Sequence, residues 1–360
     1  MNATPSPRRI LIVCELWQGA NSYAFARAFR RMGHSVTVLS DSTYNGFSWK
    51  SRFLKTARRL LSPWIQAEFA LDFRALARDL QPHLVFVCKG PLATGDAIRA
   101  AKEAGAVVVL WWPDGSFFAH GRNIPAAMPH YDWIFTTKTF GLDDLRERLG
   151  VTRASFLAHG FDPETHMKFA CDDSDRARYA CDVSFIGTWS PKKQSLLEVL
   201  IARMPDLSVR IWGNQWEKAG GALSGRIMHK PVLGAEYAKA IQLSAVNLGI
   251  LREIGVGASS GDLVTSRTFH IPACGGFMLH ERTDEVRNYF VEDQECALFG
   301  DVEEMIAKIK YFRAHPDERN AIAEAGYQRS LKSGYSIDDR ARAVLSKVEE
   351  IRSTTRSFRS

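Results

Sequence analysis

The feature that most restricts how this chain can fold is a recurring apolar run with no polar interruption: Ile10-Leu11-Ile12-Val13-Cys14, then residues 84–88, then residues 107–112. A strand with one face in water alternates polar and apolar side chains, so strands without alternation belong in a sheet covered on both faces. Helical segments separate the runs. Phe25, Phe29 and Met32 fall on one side of a helix closed by Gly33, and further helices are expected over 72–80 and 95–104. With strands also at 36–40 and 133–137, the alternation predicts a parallel, doubly wound sheet.

The pattern then lapses and restarts. Residues 162–182 are polar, with Asp172, Asp173, Asp175, Arg176 and Arg178, and read as an interdomain connection. Beyond them strands are expected at 183–187, 209–213, 245–251 and 295–299, with helices at 194–203 and 234–243. A later helix carries Met305, Ile306, Ile309 and Phe312 on one face, another begins at Pro316, and a last one around 338–351 spaces Ala341, Val344, Leu345, Val348 and Ile351 as a buried stripe. A chain of 360 residues exceeds one ordinary domain. The division is therefore read as 1–165, 166–335 and a terminal helix, 336–360: two Rossmann-like α/β domains and a helix in need of a partner.

A net charge of +7 and a pI near 9.1 favour anionic partners, whether nucleotide diphosphates, membrane surfaces or nucleic acid. The excess is partly local, in Lys50, Arg52, Lys55, Arg58 and Arg59 and in the last twenty residues, and no nucleic-acid module accompanies it. Nucleic acid is thus not expected as a partner, whereas peripheral membrane contact is compatible. No apolar run approaches the roughly 20 residues that span a bilayer, and the first residues lack the form of a signal peptide, so a cytoplasmic protein is expected. The six cysteines are scattered without CxxC spacing, and no Asp-x-Asp pair stands in a suitable loop, so no metal is expected. The loop after the first strand lacks GxGxxG, against a dinucleotide-dependent dehydrogenase.

The most informative stretch runs from Gly261 to Thr283. It reads as loop, short helix from near Thr265, a stop at Gly275-Gly276, and a strand through Phe277-Met278-Leu279. A helix N-terminus beside Arg267 offers free amides, dipole potential and a guanidinium fork, which together suit a diphosphate. Asp262 and His270, with seven residues between them, could both face one ligand. The alternative is a packed turn with Arg267 on the surface.

This stretch resembles the donor loop of GT-B-fold glycosyltransferases, and the segment Arg267-Thr268-Phe269-His270-Ile271-Pro272-Ala273-Cys274-Gly275-Gly276 is similar to the signature of the CgeB-like, spore-maturation-type family. Members usually carry Glu after the Phe, where this chain has His270. An imidazole can hydrogen-bond a hydroxyl but supplies no fixed negative charge. Further segments resemble the family in order: Cys88-Lys89-Gly90, Trp111-Trp112-Pro113-Asp114, residues 131–138, His159-Gly160-Phe161-Asp162 and Gly187-Thr188-Trp189-Ser190-Pro191.

The resemblance implies a GT-B enzyme: two Rossmann-like domains facing a cleft, a terminal helix crossing back to the first domain, a nucleotide-diphosphate sugar as donor and substrate rather than cofactor, and an unidentified glycan, lipid-linked or protein acceptor. Lys192 or Lys193 and Arg252 would join Arg267 and Thr268 around the diphosphate, Asp262 would hold sugar hydroxyls, and His270 the ribose or phosphate. Gly187, Thr188, Gly213 and Leu233 would let the backbone approach the nucleotide. In the first domain, the strand ends present Glu15, Lys89 and Asp114, and His159 follows; Asp114 or His159 would face the acceptor as catalytic residue. Transfer without metal and with retention is the expected chemistry. A nucleotide-sugar epimerase or an inactive nucleotide-sugar-binding protein of the same fold are the alternatives.

Overall fold

The computed structural model describes residues 7–15, 17, 19–44 and 52–357, excepting the side chains of 52–60, 355 and 356. The basic run at 50–59 therefore lies outside the described side chains. The chain divides into two compact units, one of Met1–Ala158, Gly255–Ser260 and Asp338–Ser360, the other of His159–Ile254 and Gly261–Ile337.

The first unit is built on strands β1 (Arg9–Cys14), β2 (Ser35–Ser40), β3 (Leu84–Cys88), β4 (Val107–Trp112), β5 (Trp133–Thr136) and β6 (Ala154–Phe156), all parallel, in the order β2-β1-β3-β4-β5-β6. Its helices are α1 (Asn21–Arg31), α2 (Asp41–Tyr44), α3 (Arg52–Leu80), α4 (Gly95–Glu103), α5 (Asn123–Ala127) and α6 (Gly141–Leu149). Every residue of β3 and β4 is buried, which is why their sequences carry no alternation. Phe25 of α1 packs on Phe86 and Trp111, ring centroids 4.8 and 5.1 Å away, and so seats the helix on the sheet. Two elements differ from expectation. Strand β6 is too short and too little buried to leave a periodic signal, and α3 begins twenty residues before 72 and contains Pro63. Among the described side chains of α3, Phe69, Phe73 and Ala77 are buried in the core, and that part of the helix shows the buried stripe.

The second unit holds β7 (Cys181–Ile186), β8 (Val209–Trp212), β9 (Ser244–Gly249), β10 (Met278–Glu281) and β11 (Ala297–Phe299), again parallel, in the order β11-β10-β9-β7-β8. Around them stand α7 (Asp173–Tyr179), α8 (Pro191–Arg203), α9 (Ala235–Gln242), α10 (Ser266–Ala273), α11 (Asp284–Arg287), α12 (Val302–Ala314) and α13 (Pro316–Lys332). The acidic stretch read as linker contains α7. Asp172 and Asp175 form a reciprocal cap, Asp172 Oδ1 accepting from Asp175 N at 2.8 Å and Asp175 Oδ2 from Asp172 N at 3.2 Å.

The final helix, α14 (Ile337–Ser357), belongs to the first unit from Asp338 onward. There it buries Ala341, Val344 and Val348, pairs Asp338 with Arg31 and Glu349 with Arg8, and lays Lys347 over the Trp133 ring at 4.2 Å. The short segment 255–260 is also held by that unit: Ser116 Oγ donates to Val256 O at 2.5 Å and Arg148 Nη1 to Gly257 O at 2.6 Å.

Candidate functional site

In each sheet the strand that comes first in the chain lies between the second and the third, so strand order reverses between β1 and β3 and between β7 and β9. Ligands of open α/β sheets bind beyond the carboxyl ends of the strands at such a reversal.

In the second unit that place is lined with cations. Arg267 opens α10, yet its guanidinium is not held at the helix tip. It folds back under the strand ends, Nη2 donating to Ile250 O at 2.7 Å and Cζ lying 5.2 Å from the Phe185 ring centroid. Nη1 sits against Gly187, where a Cβ would stand 2.7 Å from it. Nε is buried and has no protein partner. Burial, chiefly, lowers the pKa of the guanidinium from its ordinary value.

Lys193, in the first turn of α8, lies beside it. Its ammonium is 5.8 Å from the same Phe185 ring and donates to Thr188 O at 3.0 Å, and the residue is only 4% exposed. Burial, and then the positive charge of Arg267, push its pKa down to about 7, against the opposing pull of Asp262 and Glu253. Lys192 is spent differently, in an ion pair with Glu281 at 2.8 Å, and Glu281 also accepts from Leu251 N at 2.7 Å. Of the two lysines, Lys193 is the one at the strand reversal beside Arg267.

The turns around these cations are shaped by close backbone approach. Gly213 has φ +135°, and a Cβ on it would lie 2.1 Å from Gly187 O. Gly187 O in turn accepts from the buried Trp216 Nε1 at 2.8 Å, so both indoles of the 212–216 segment are core elements. Thr188 is exposed, Leu233 half-buried and Arg252 exposed. Asp262 N donates to Arg252 O at 3.0 Å, which fixes the turn leading into α10.

Helix α10 ends as expected: Gly275 takes φ +77°, with Gly275 N bonded to Pro272 O and Gly276 N to Ile271 O. Two of its residues are committed inside the protein. Thr268 Oγ1 accepts from Thr265 N at 3.1 Å and donates to His280 Nε2 at 2.9 Å, while His280 Nδ1 donates to Glu281 O at 2.8 Å. Its hydroxyl is thus unavailable to a diphosphate. His270 donates from Nε2 to Gly160 O at 3.1 Å, meets Tyr237 Oη through Nδ1 at 3.4 Å, and stacks on His166 at 3.7 Å. Burial holds it neutral, with its pKa lowered to about 3. The ring ties α10 to the 160–166 loop, with both nitrogens occupied.

In the first unit Asp114 follows β4, and its Oδ2 meets Lys89 Nζ at 3.2 Å and His120 Nε2 at 3.0 Å. Burial would raise its pKa, but the His120 hydrogen bond and the Lys89 charge outweigh it and hold the carboxyl well below the usual range. A carboxylate held this way is a fixed negative charge and a weak base. His159 is buried, and it belongs to the second unit. Sequence reading passed over Asp41, at the end of β2, whose buried carboxyl is pushed up to about 7 by desolvation and by Glu15. It also passed over Glu253, which accepts from Ser190 Oγ at 2.8 Å beside Lys193, and over Glu281. Polar residues scattered through loops carry no periodic signal.

Two parallel Rossmann-like sheets, six and five strands, with this strand order and a terminal helix returned to the first, constitute the GT-B fold. The same architecture is found in a sucrose-phosphate synthase from Thermosynechococcus elongatus (TM-score 0.67, 12% identity, 96% of this chain and 100% of that one) and in Anabaena HepE in complex with UDP-glucose (0.63, 12%, 95% and 100%). It is found too in a UDP-N-acetylglucosamine 2-epimerase, described as putative, from Listeria monocytogenes (0.54, 12%, 96% and 96%). Residues 192–346 match the family model described as Glycosyl transferase-like. No curated protein matches the chain in sequence.

Proposed function

We propose that this protein is a glycosyltransferase that binds a nucleotide-diphosphate sugar at the carboxyl edge of its second sheet and passes the sugar to an acceptor held by its first unit. The observation that carries this reading is the pair Arg267 and Lys193, two basic side chains against one aromatic ring at a strand reversal, one with an unpartnered Nε–H and the other with a single carbonyl for its ammonium. Burying two like charges together is costly without an anion between them. A diphosphate meets that need, and in transfer its negative charge grows as the C1–oxygen bond breaks. Arg267, Lys193 and the exposed Arg252 would stabilise the departing diphosphate without a divalent ion. Asp262 would take sugar hydroxyls, and transfer with retention, to a glycan, lipid-linked saccharide or protein, follows the CgeB-like resemblance. His270 has no free polar atom for a ribose, so backbone groups of the 187–189 and 213–214 turns take that part of the nucleotide in this reading.

The test is calorimetric titration of UDP, GDP and ADP into wild type, Arg267→Ala and Arg267→Lys, with melting curves to verify folding. One diphosphate should bind at least about tenfold better than the others, and a folded Arg267→Ala should lose about 2–3 kcal/mol of that affinity, as expected for a charged hydrogen-bond partner. Equal affinities for all three nucleotides, unchanged in the variants, would remove the reading. Because UDP-N-acetylglucosamine 2-epimerases share the fold, the products of an acceptor-free incubation decide between the two chemistries: interconverted donor sugar marks an epimerase.

A further inference from the structure

The first unit has its own strand reversal, between β1 and β3, and one side chain there is left without a partner. Asp41 opens α2 directly after β2 and is 2% exposed, and among the described residues neither of its carboxyl oxygens is hydrogen-bonded. The charge acting on it is that of a second carboxylate, Glu15, at the end of β1. A buried carboxyl without partners destabilises the fold that holds it, so packing alone does not account for this one. Its field reaches across the reversal. After burial, the larger cause in both, it raises the pKa of Cys14 at the end of β1 and of Tyr131, whose Oη stands 3.2 Å from the Cβ position of Gly90, just past β3. Trp17 is 45% exposed and donates from Nε1 to Glu15 Oε2 at 2.9 Å, which fixes the indole at the same strand end. The ammonium of Lys89, past β3, is paired with Asp114.

From this arrangement we infer that the β1–β3 edge of the first unit binds an uncharged saccharide, its hydroxyls bonded to Asp41 and Glu15 and one face of its ring lying on Trp17. The inference rests on the glycosyltransferase reading and narrows its acceptor to one that presents a neutral sugar at this edge. Carboxyl oxygens accept several O–H bonds at once, and an indole offers apolar surface to the C–H face of a pyranose. Phosphates and uronates would be repelled by two carboxylates, with Lys89 already engaged. An ammonium would be drawn by charge, but burial, and then Glu15, push the Asp41 carboxyl up to about 7. Near neutral pH it is therefore in large part an uncharged acid that donates as well as accepts, which suits a hydroxyl and not an ammonium.

The experiment screens the full chain on an array of neutral, amino, uronic and phosphorylated saccharides, then titrates the best free saccharide by saturation-transfer NMR. A neutral saccharide should give the strongest signal, with binding weakened at least about tenfold by Asp41→Asn and about fivefold by Trp17→Ala, while nucleotide affinity at Arg267 stays within about twofold of wild type. Asp41→Asn should also melt higher than wild type at about pH 8 and level with it near pH 4, because the folded chain holds the Asp41 proton up to about 7 and the unfolded chain releases it near 3.8. A carboxyl needed for the fold would instead lower the melting temperature when replaced. No bound saccharide, a preference for amino, uronic or phosphorylated sugars, or binding intact in either variant overturns the inference. Nucleotide binding that persists through any of these results leaves the donor site standing, so the two fail separately.

Discussion

Replacing Lys193 by methionine keeps the length of the side chain and removes its charge, and stability and donor binding should then move in opposite directions. In the folded protein the ammonium titrates near 7, lowered from an ordinary value of 10.5 by burial and by Arg267. Between those two pH values the unfolded chain binds a proton that the folded chain does not, so wild-type stability rises with pH through this window. Below about pH 7 both states are charged and the whole cost of holding a buried ammonium is present, on the order of 5 kcal/mol for a shift of this size. Lys193→Met should therefore be more stable than wild type at pH 6, by up to that amount, with the gain fading towards pH 10. Donor binding has the reverse dependence, since only the ammonium attracts a diphosphate. Its population falls from roughly ten elevenths at pH 6 to roughly one eleventh at pH 8, so affinity should drop about tenfold over that span. UDP-glucose is the suitable probe because its diphosphate is esterified at both ends and does not titrate there. Calorimetry in two buffers of different protonation enthalpy would show proton uptake on binding at pH 8 in wild type and none in Lys193→Met. A wild-type affinity independent of pH, or the same pH dependence in the variant, would refute the reasoning.

Other substitutions test the rest of the site. Gly187→Ala places a methyl 2.7 Å from Arg267 Nη1 and should displace the guanidinium, weakening UDP binding by about tenfold while costing stability only about 1 kcal/mol, read by calorimetry and thermal melting. Gly213→Ala drives a Cβ into the Gly187 carbonyl at 2.1 Å and should destabilise the protein by at least about 3 kcal/mol in denaturant melts. His270→Glu would set a carboxylate against Gly160 O in a buried place, and a loss of about 2–4 kcal/mol in stability, without gain in donor affinity, is expected. His270 and His280, lowered to about 3 and about 4, stay neutral when folded and bind protons from pH 6.5 downward when unfolded, so stability should decline as pH falls from 6.5 to 3. His270→Gln should flatten that decline in a pH series of melts.

The fold was legible in the sequence because burial on both faces forbids alternation: β3 and β4 stand where their apolar runs do, and the Gly275-Gly276 pair ends α10 through a left-handed backbone that few other residues adopt. Elements that do not bury a periodic face stayed hidden. Strand β6 is short, and α7 is fastened by its Asp172–Asp175 cap rather than by a hydrophobic stripe. The residue types needed for an anion site could be read from Arg267, Lys192 and Lys193, because charge and donor geometry belong to the side chain itself. Which of them meets the ligand depended on neighbours distant in the chain. Glu281, eighty-nine residues from Lys192, neutralises it, while the Phe185 ring and the Thr188 carbonyl leave Lys193 buried and short of partners. Likewise an imidazole at position 270 is compatible with a ligand in the sequence, and only the folding of the 160–166 loop onto α10 occupied both of its nitrogens. Chemical capacity is local to a residue, whereas desolvation and pairing, which decide how that capacity is used, arise only when the chain is packed.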